Sequence, residues 1–130
     1  MIVVDTQSWV WWVADPDRLT RVATRALERE EADGLIVSAI SVWEVALKVG
    51  LGKLSLDRDV RSWLVLATSY PGIIVEALSR DDAMESALLP EWNHRDPADR
   101  FIVALARRLG VGLVTSDRRI RAYRHVRTIW

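Results

Sequence analysis

The chain is built on one recurring pattern: a short apolar run, a turn signal, then a helix-length amphipathic stretch. The runs are Ile2 to Val4, "LIVSA" (Leu35 to Ala39), "IIVEAL" (Ile73 to Leu78) and "GLVTSD" (Gly112 to Asp117), with "VRTIW" (Val126 to Trp130) as a final extended segment. Short apolar runs bounded by turn residues read as buried strands. Strands that alternate with helices argue an α/β fold whose central sheet is mostly parallel and twisted, flanked by helices. At 130 residues this fits one domain, residues 1–130, with a sizeable core.

The helical stretches carry their own signals. "DPDR" offers an Asp-Pro start for a helix running to about Ala32, with Val22, Leu27 and alanines as its inward stripe. "SVWEVALKV" begins with Ser41 and Glu44 at capping-box spacing, and Ser79 and Asp82 repeat that spacing later. The helix from Pro97 to about Leu109 has Asp96 before it, Arg107 and Arg108 near its end and Gly110 beyond. Among the seven tryptophans, Trp9, Trp12, Trp43 and Trp63 sit in apolar patterns and are expected in the core. Trp11 and Trp92 are less clearly buried, and an exposed tryptophan suits a protein-binding surface.

Composition narrows the chemistry. There is no cysteine, so disulfides and thiolate nucleophiles are excluded and zinc lacks its commonest structural ligand. A reducing, cytoplasmic setting is expected. The apolar opening is interrupted by Asp5 and has no basic leader, so it reads as neither a signal peptide nor a membrane span. Formal net charge is zero, and the strongest basic run is "DRRIRAYRHVR", Asp117 to Arg127. Any phosphate contact must therefore be local.

Ligands of open α/β sheets gather beyond the carboxyl ends of the strands. Asp5 closes the first strand and Asp117 follows "GLVTS". Glu44 is expected in the first turn after "LIVSA", and Asp99 in the first turn of the Pro97 helix, with Asp96 just before it. Capping accounts for each acid singly. It does not account for their convergence on one sheet edge, where carboxylates repel unless protons or a cation intervene. A hard divalent cation, Mg²⁺ or Mn²⁺, takes oxygen ligands and shares them with phosphate.

At these residues the chain resembles the PIN-domain ribonucleases, specifically the VapC-type toxins of toxin–antitoxin pairs. "IVVDTQSW" resembles the family's opening strand with its first acid, "SAISVWEVALKVGLGKLSL" its second motif, "HRDPADRFIVALA" its third and "LVTSDRRI" its fourth. The resemblance spans essentially the whole chain. It implies a metal-dependent endoribonuclease that hydrolyses RNA phosphodiesters with Mg²⁺ or Mn²⁺, a cognate antitoxin protein and, as is frequent in the family, a homodimer; no stretch of the sequence is long and apolar enough to call for a membrane. Asp5, Glu44, Asp99 and Asp117 are carried over as catalytic metal ligands.

Asp96 is expected chiefly as a cap, with a supporting place behind the ligands as its alternative. Thr115 and Ser116 are expected to donate to a carboxylate or a bound water. Arg100, Arg118, Arg119, Arg121 and Arg124 are candidates for RNA phosphate, against a plain reading as solvated faces. His94 needs no catalytic role and suits a cap or structural hydrogen bond. Two other readings fall behind: "DTQS" lacks the second aspartate of haloacid-dehalogenase phosphatases, and the early acid pair and late lysine of response-regulator receiver domains are missing. The remaining rival is a catalytically inactive PIN-like module that binds RNA or protein.

Overall fold

The computed structural model of the protein describes residues 1–130. Five strands form one sheet: β1 (Ile2–Val4), β2 (Leu35–Ser38), β3 (Ile73–Glu76), β4 (Leu113–Val114) and β5 (Thr128–Ile129). Their order is β3-β2-β1-β4-β5, and every neighbouring pair is parallel. The fold is the α/β architecture the strand–helix pattern predicts, with a sheet that is parallel throughout. The helices are α1 (Thr6–Ala14), α2 (Arg21–Glu30), α3 (Ala39–Gly50), α4 (Val60–Thr68), α5 (Arg80–Ala87), α6 (Pro97–Leu109) and α7 (Arg118–Arg121). No helix is long and apolar enough to cross a membrane.

The central strands are buried on both faces, and their side chains alternate between two cores. Ile2, Val4, Leu35, Val37 and Val114 pack with Trp9, Leu27 and Trp63 on one face. Val3, Ile36 and Leu113 pack with Ile102, Val103, Leu105 and Ile120 on the other. The chain starts at the sheet's centre, builds outward through β2 to β3, and returns to the other side for β4. That reversal falls between β1 and β4. The helices leaving these strands, α1 and α7, pack on opposite faces, which opens a crevice beyond the strands' carboxyl ends.

Several local expectations are corrected. Asp15-Pro16 starts only a 3-10 turn, Pro16–Arg18, because Leu19 leaves it in extended backbone to reach the core. The helix proper begins at Arg21, capped by Thr20, whose Oγ1 accepts from the Ala23 N–H at 3.1 Å. Its inward stripe is Ala23, Ala26 and Leu27, while Val22 is 58% exposed. Strand β2 ends at Ser38, which caps α3 by accepting from the Ile40 N–H. The supposed capping box of Ser41 and Glu44 therefore does not form, since both lie inside the helix. Glu44 sits in the second turn, and Ser41 Oγ accepts a hydrogen bond from Thr6 Oγ1 at 2.8 Å. Because Ser41, Glu44 and Val45 occupy the inward face, Trp43 points out and is 47% exposed, not in the core. Trp9 and Trp63 are buried as expected, while Trp12 packs at the margin with Trp11.

Ser79 does cap α5, accepting from the Asp82 N–H at 2.9 Å. The Asp82 carboxylate takes two hydrogen bonds from Arg108, at 2.6 and 3.0 Å, tying α5 to α6. Arg108 holds that carboxyl below its usual range although burial opposes the shift. Removing one partner of such a pair strands the other charge out of water. Arg108→Ala is expected to lose about 3 kcal/mol in urea unfolding. A loss within the ordinary surface range, about 0.5 kcal/mol, would show the pair to be screened.

Candidate functional site

Three of the acids near the crevice, Asp5, Asp96 and Asp117, are placed by a local device that also caps a helix. Asp5 ends β1 and its Oδ1 accepts from the Ser8 N–H at 2.7 Å, opening α1. Asp117 follows β4, and its Oδ1 accepts from the Arg119 and Ile120 N–H groups at 2.8 and 3.1 Å. Asp96 accepts from the Asp99 N–H at 3.1 Å, with Pro97 at the first helical position, so it does cap α6. Gly110 closes that helix in the left-handed region at φ 67°. Asp99 stands one turn inside and projects back toward the helix start, as helical side chains do.

These residues line one open cleft of ≈ 250 Å³: Asp5, Glu44, Asp96, Asp99, Ser116 and Asp117, joined by Thr6, Gln7 and Lys48. No hydrophobic side chain lines it. The convergence expected from the sequence is therefore present, although its members are not equally close. Ligand atoms of His94, Asp99 and Asp117 all lie within 4.8 Å of one another, and Asp5 and Glu44 stand outside that tight group. Asp5 is drawn to the Ser8 N–H and the Thr115 hydroxyl. Glu44 is drawn to Lys48, whose Nζ is 3.7 Å from its Oε2.

Electrostatics in the cleft is unbalanced. Burial pushes the Asp5 carboxyl above the usual range; the Thr115 and Ser8 hydrogen bonds oppose the rise and the Asp117 charge adds to it. Asp99 is pushed up to about 7, first by burial and then by the Asp96 charge, with Asp117 adding further and His94 opposing. Crowded, partly desolvated carboxylates with too little positive charge nearby are the setting that a hard divalent cation relieves. The donor set fits such an ion, being oxygen-rich and free of thiolate.

His94 is less suited to be a ligand than its position suggests. Arg119 Nη1 lies 2.8 Å from His94 Nδ1, and a guanidinium can only donate. Nδ1 therefore accepts, which leaves the ring proton on Nε2, 2.8 Å from Asp99 Oδ2. That nitrogen donates to the carboxylate and fixes its orientation, the structural hydrogen bond expected for His94.

The remaining candidates are distributed unevenly. Thr115 is fully buried beneath the cleft; its Oγ1 accepts from the Asp117 N–H and its hydroxyl serves Asp5. Arg119 flanks the cleft through His94, whereas Arg100 donates to the Ser86 carbonyl and Arg124 pairs with Glu91. Arg118 and Arg121 do not line the cleft either. Lys48 was missed, although its i,i+4 spacing from Glu44 was a legible signal. The path linking Arg119, His94 and Asp99 had no such signal, because it joins residues 25 and 5 positions apart through a loop.

A family model described as PIN domain matches residues 2–126. The chain is 37% identical over 131 residues to "Ribonuclease VapC22" of Mycobacterium tuberculosis (strain ATCC 25618 / H37Rv), covering 99% of this chain and 98% of that protein. Among solved structures it is similar to VapBC2 from Rickettsia felis, crystallised bound to a DNA fragment from their promoter. That match has a TM-score of 0.71 at 16% identity, covering 98% of this chain and 97% of that one. VapC20 of Mycobacterium tuberculosis, described as a Sarcin-Ricin loop cleaving toxin, superposes with a TM-score of 0.64 at 16% identity, covering 98% and 99%. At such identities the structural likeness speaks for the fold.

Proposed function

This chain belongs to the PIN domain family, in its VapC-type branch, and from that premise we propose that it is a divalent-metal-dependent endoribonuclease, the toxin of a toxin–antitoxin pair. The observation that carries the reading is the all-polar cleft at the sheet's reversal point, which Asp5, Glu44, Asp99 and Asp117 line. Mg²⁺ or Mn²⁺ supplies Lewis acidity and neutralises charge at the scissile phosphate. Asp5, Glu44, Asp99 and Asp117 hold the ion, and Asp96 fixes the start of the helix that presents Asp99. His94 aims the Asp99 carboxylate, Thr115 steadies Asp5, and Lys48 steadies Glu44. Asp99 or Asp117 positions the attacking water, and no side chain of the protein is needed as nucleophile.

An antitoxin partner is supported by the name of the solved neighbour, a VapBC pair. Trp43 and Leu47 on α3 and Leu51 at its C-cap form an exposed stripe at four-residue spacing, 47%, 41% and 60% accessible. Such a stripe suits burial against an antitoxin or a second copy of the chain, in keeping with a homodimer. A cytoplasmic site of action belongs to the same proposal, because that is where the RNA substrate it names is found.

The test is cleavage of end-labelled cellular RNA by the purified, antitoxin-free chain with Mg²⁺, with Mn²⁺ and with chelator. Discrete products only in the metal-containing reactions are expected, and a pattern unchanged by chelator would sink the reading. Metal binding has its own readout in melting temperature. Mn²⁺ is expected to stabilise the chain by mass action, about 2.7 kcal/mol at a hundredfold excess over Kd. Asp5→Asn keeps the α1 cap, since asparagine caps as well as aspartate, and is expected to lose most of that shift. An undiminished shift would take Asp5 out of the ion's ligands.

A further inference from the structure

Beside the acidic cleft lies a recess that the proposed reaction leaves unused. It is a cavity of ≈ 380 Å³ walled by Trp92, His94, Arg119 and Tyr123, with the exposed Asn93 and Glu91. A shallower depression shares His94 and Arg119 with it and includes Asp96, which also lines the cleft. The surface thus leads from the carboxylates to a set of aromatic rings. Its volume lies within the range of about 300–1,000 Å³ typical of ligand pockets.

The loop that forms this wall is held in shape from several sides. Tyr123 donates its hydroxyl to the Pro90 carbonyl at 2.6 Å, and Arg124 pairs with Glu91 at 2.8 Å. Glu91 itself is in the left-handed region, φ 55°, so the turn is specified rather than slack. Trp92 meets Tyr123 edge-on, with centroids 4.7 Å apart at 83°, and lies 5.5 Å from the His94 ring. Unlike Trp9 and Trp63, it keeps part of its surface on the cavity, and its indole N–H is buried with no acceptor. The Arg119 guanidinium contacts only the His94 ring and forms no ion pair, leaving donors for an anion.

Aromatic faces, an unpaired arginine and an exposed amide beside a phosphate-processing cleft match the chemistry of one ligand. Single-stranded RNA is recognised by stacking its splayed bases on aromatic or guanidinium planes and bonding their edges. We propose that this cavity is a nucleobase subsite, in which a base flanking the phosphodiester in the cleft stacks on Trp92. Its edge meets Asn93, and Arg119 takes an adjoining phosphate through its planar fork. The inference rests on the ribonuclease reading of the cleft.

The test uses the full chain, in chelator to prevent cutting, with single-stranded RNA of random sequence carrying 4-thiouridine. After irradiation, the crosslinked residues are mapped. Adducts are expected on Trp92, Asn93 or Tyr123. Trp92→Ala is expected to weaken binding of the same RNA about 5- to 100-fold. Trp92→Phe, which keeps a ring, should recover most of that loss with an unchanged melting temperature. Adducts confined to other surfaces, or equal binding by wild type and Trp92→Ala, would overturn the subsite.

A parallel reaction with Mg²⁺ and Mn²⁺ separates the two readings. Cutting without adducts in this loop removes the subsite alone. Adducts in the loop without any cutting keep the base site and remove the nuclease. Neither binding nor cutting removes both.

Discussion

Asp99→Asn is expected to abolish metal-dependent RNA cleavage, lowering its rate by more than about 10²-fold. Groups that merely support a metal ligand are worth 10–100-fold in affinity or activity, so a ligand should exceed that. The substitution is close to isosteric, and Asp99 does not itself cap α6, so the helix should persist. A variant that cuts as fast as wild type, with the same products, would return Asp99 to a purely structural role.

The same residue sets a pH dependence whose sign can be worked out. Its carboxyl is pushed up to about 7 in the fold, against an ordinary unfolded value near 3.9. Between those values the metal-free folded protein binds more protons than the unfolded chain, so its stability falls as pH rises through that window. Above about 7 this contribution is flat. Burial of Asp5 acts in the same direction. On the proposed reading a cation takes the deprotonated cleft, so Mn²⁺ should raise the melting temperature more at pH 8 than at pH 5. Asp99→Asn should flatten the metal-free profile and raise it at pH 8. Melting curves at both pH values, with chelator and with Mn²⁺, check each part; a wild-type profile that rises between pH 4 and 7 and loses nothing in the variant would contradict it.

Trp9→Ala is the largest stability loss expected from a single substitution. The ring is completely buried, stands edge-on to Trp63 at 5.6 Å, and its Nε1–H donates to the Ala67 carbonyl at 3.2 Å. Truncation leaves a cavity between α1, α4 and the sheet and orphans a carbonyl. The cost should be about 3–5 kcal/mol, a large part of the 5–15 kcal/mol that stabilises most domains. For a domain of this size that corresponds to a melting point lower by about 10–20 °C. Trp43→Ala is the internal comparison and should change stability by no more than about 0.5 kcal/mol in the free chain. Equal losses at the two positions would mean that α3 packs with the opposite face inward.

Those two tryptophans mark where sequence reasoning ends. Both sit in apolar surroundings, and nothing local distinguishes them. The inward face of α3 was settled by Ser38 becoming the cap, which starts the helix at Ala39 and turns Ser41, Glu44 and Val45 toward the core. The apparent capping box at Ser41 was a coincidence of spacing. In α2, likewise, burial of Leu19 overrode an attractive Asp-Pro start.

By itself the sequence determined the strand–helix alternation, the parallel sheet and the placing of acids at strand ends and helix starts. These follow from local signals: apolar runs long enough for buried strands, and side chains that satisfy the free amides of a helix start. Tertiary structure alone decided which acids crowd together and which supporting groups reach them. Asp99 meets Asp117 and His94 closely, while Asp5 and Glu44 stand back on their own partners. The Arg119–His94–Asp99 path and the recess at Trp92 arise from contacts between distant segments. Distances across a sheet's reversal point depend on how α1, α3, α6 and α7 pack around it, and no local pattern encodes that packing.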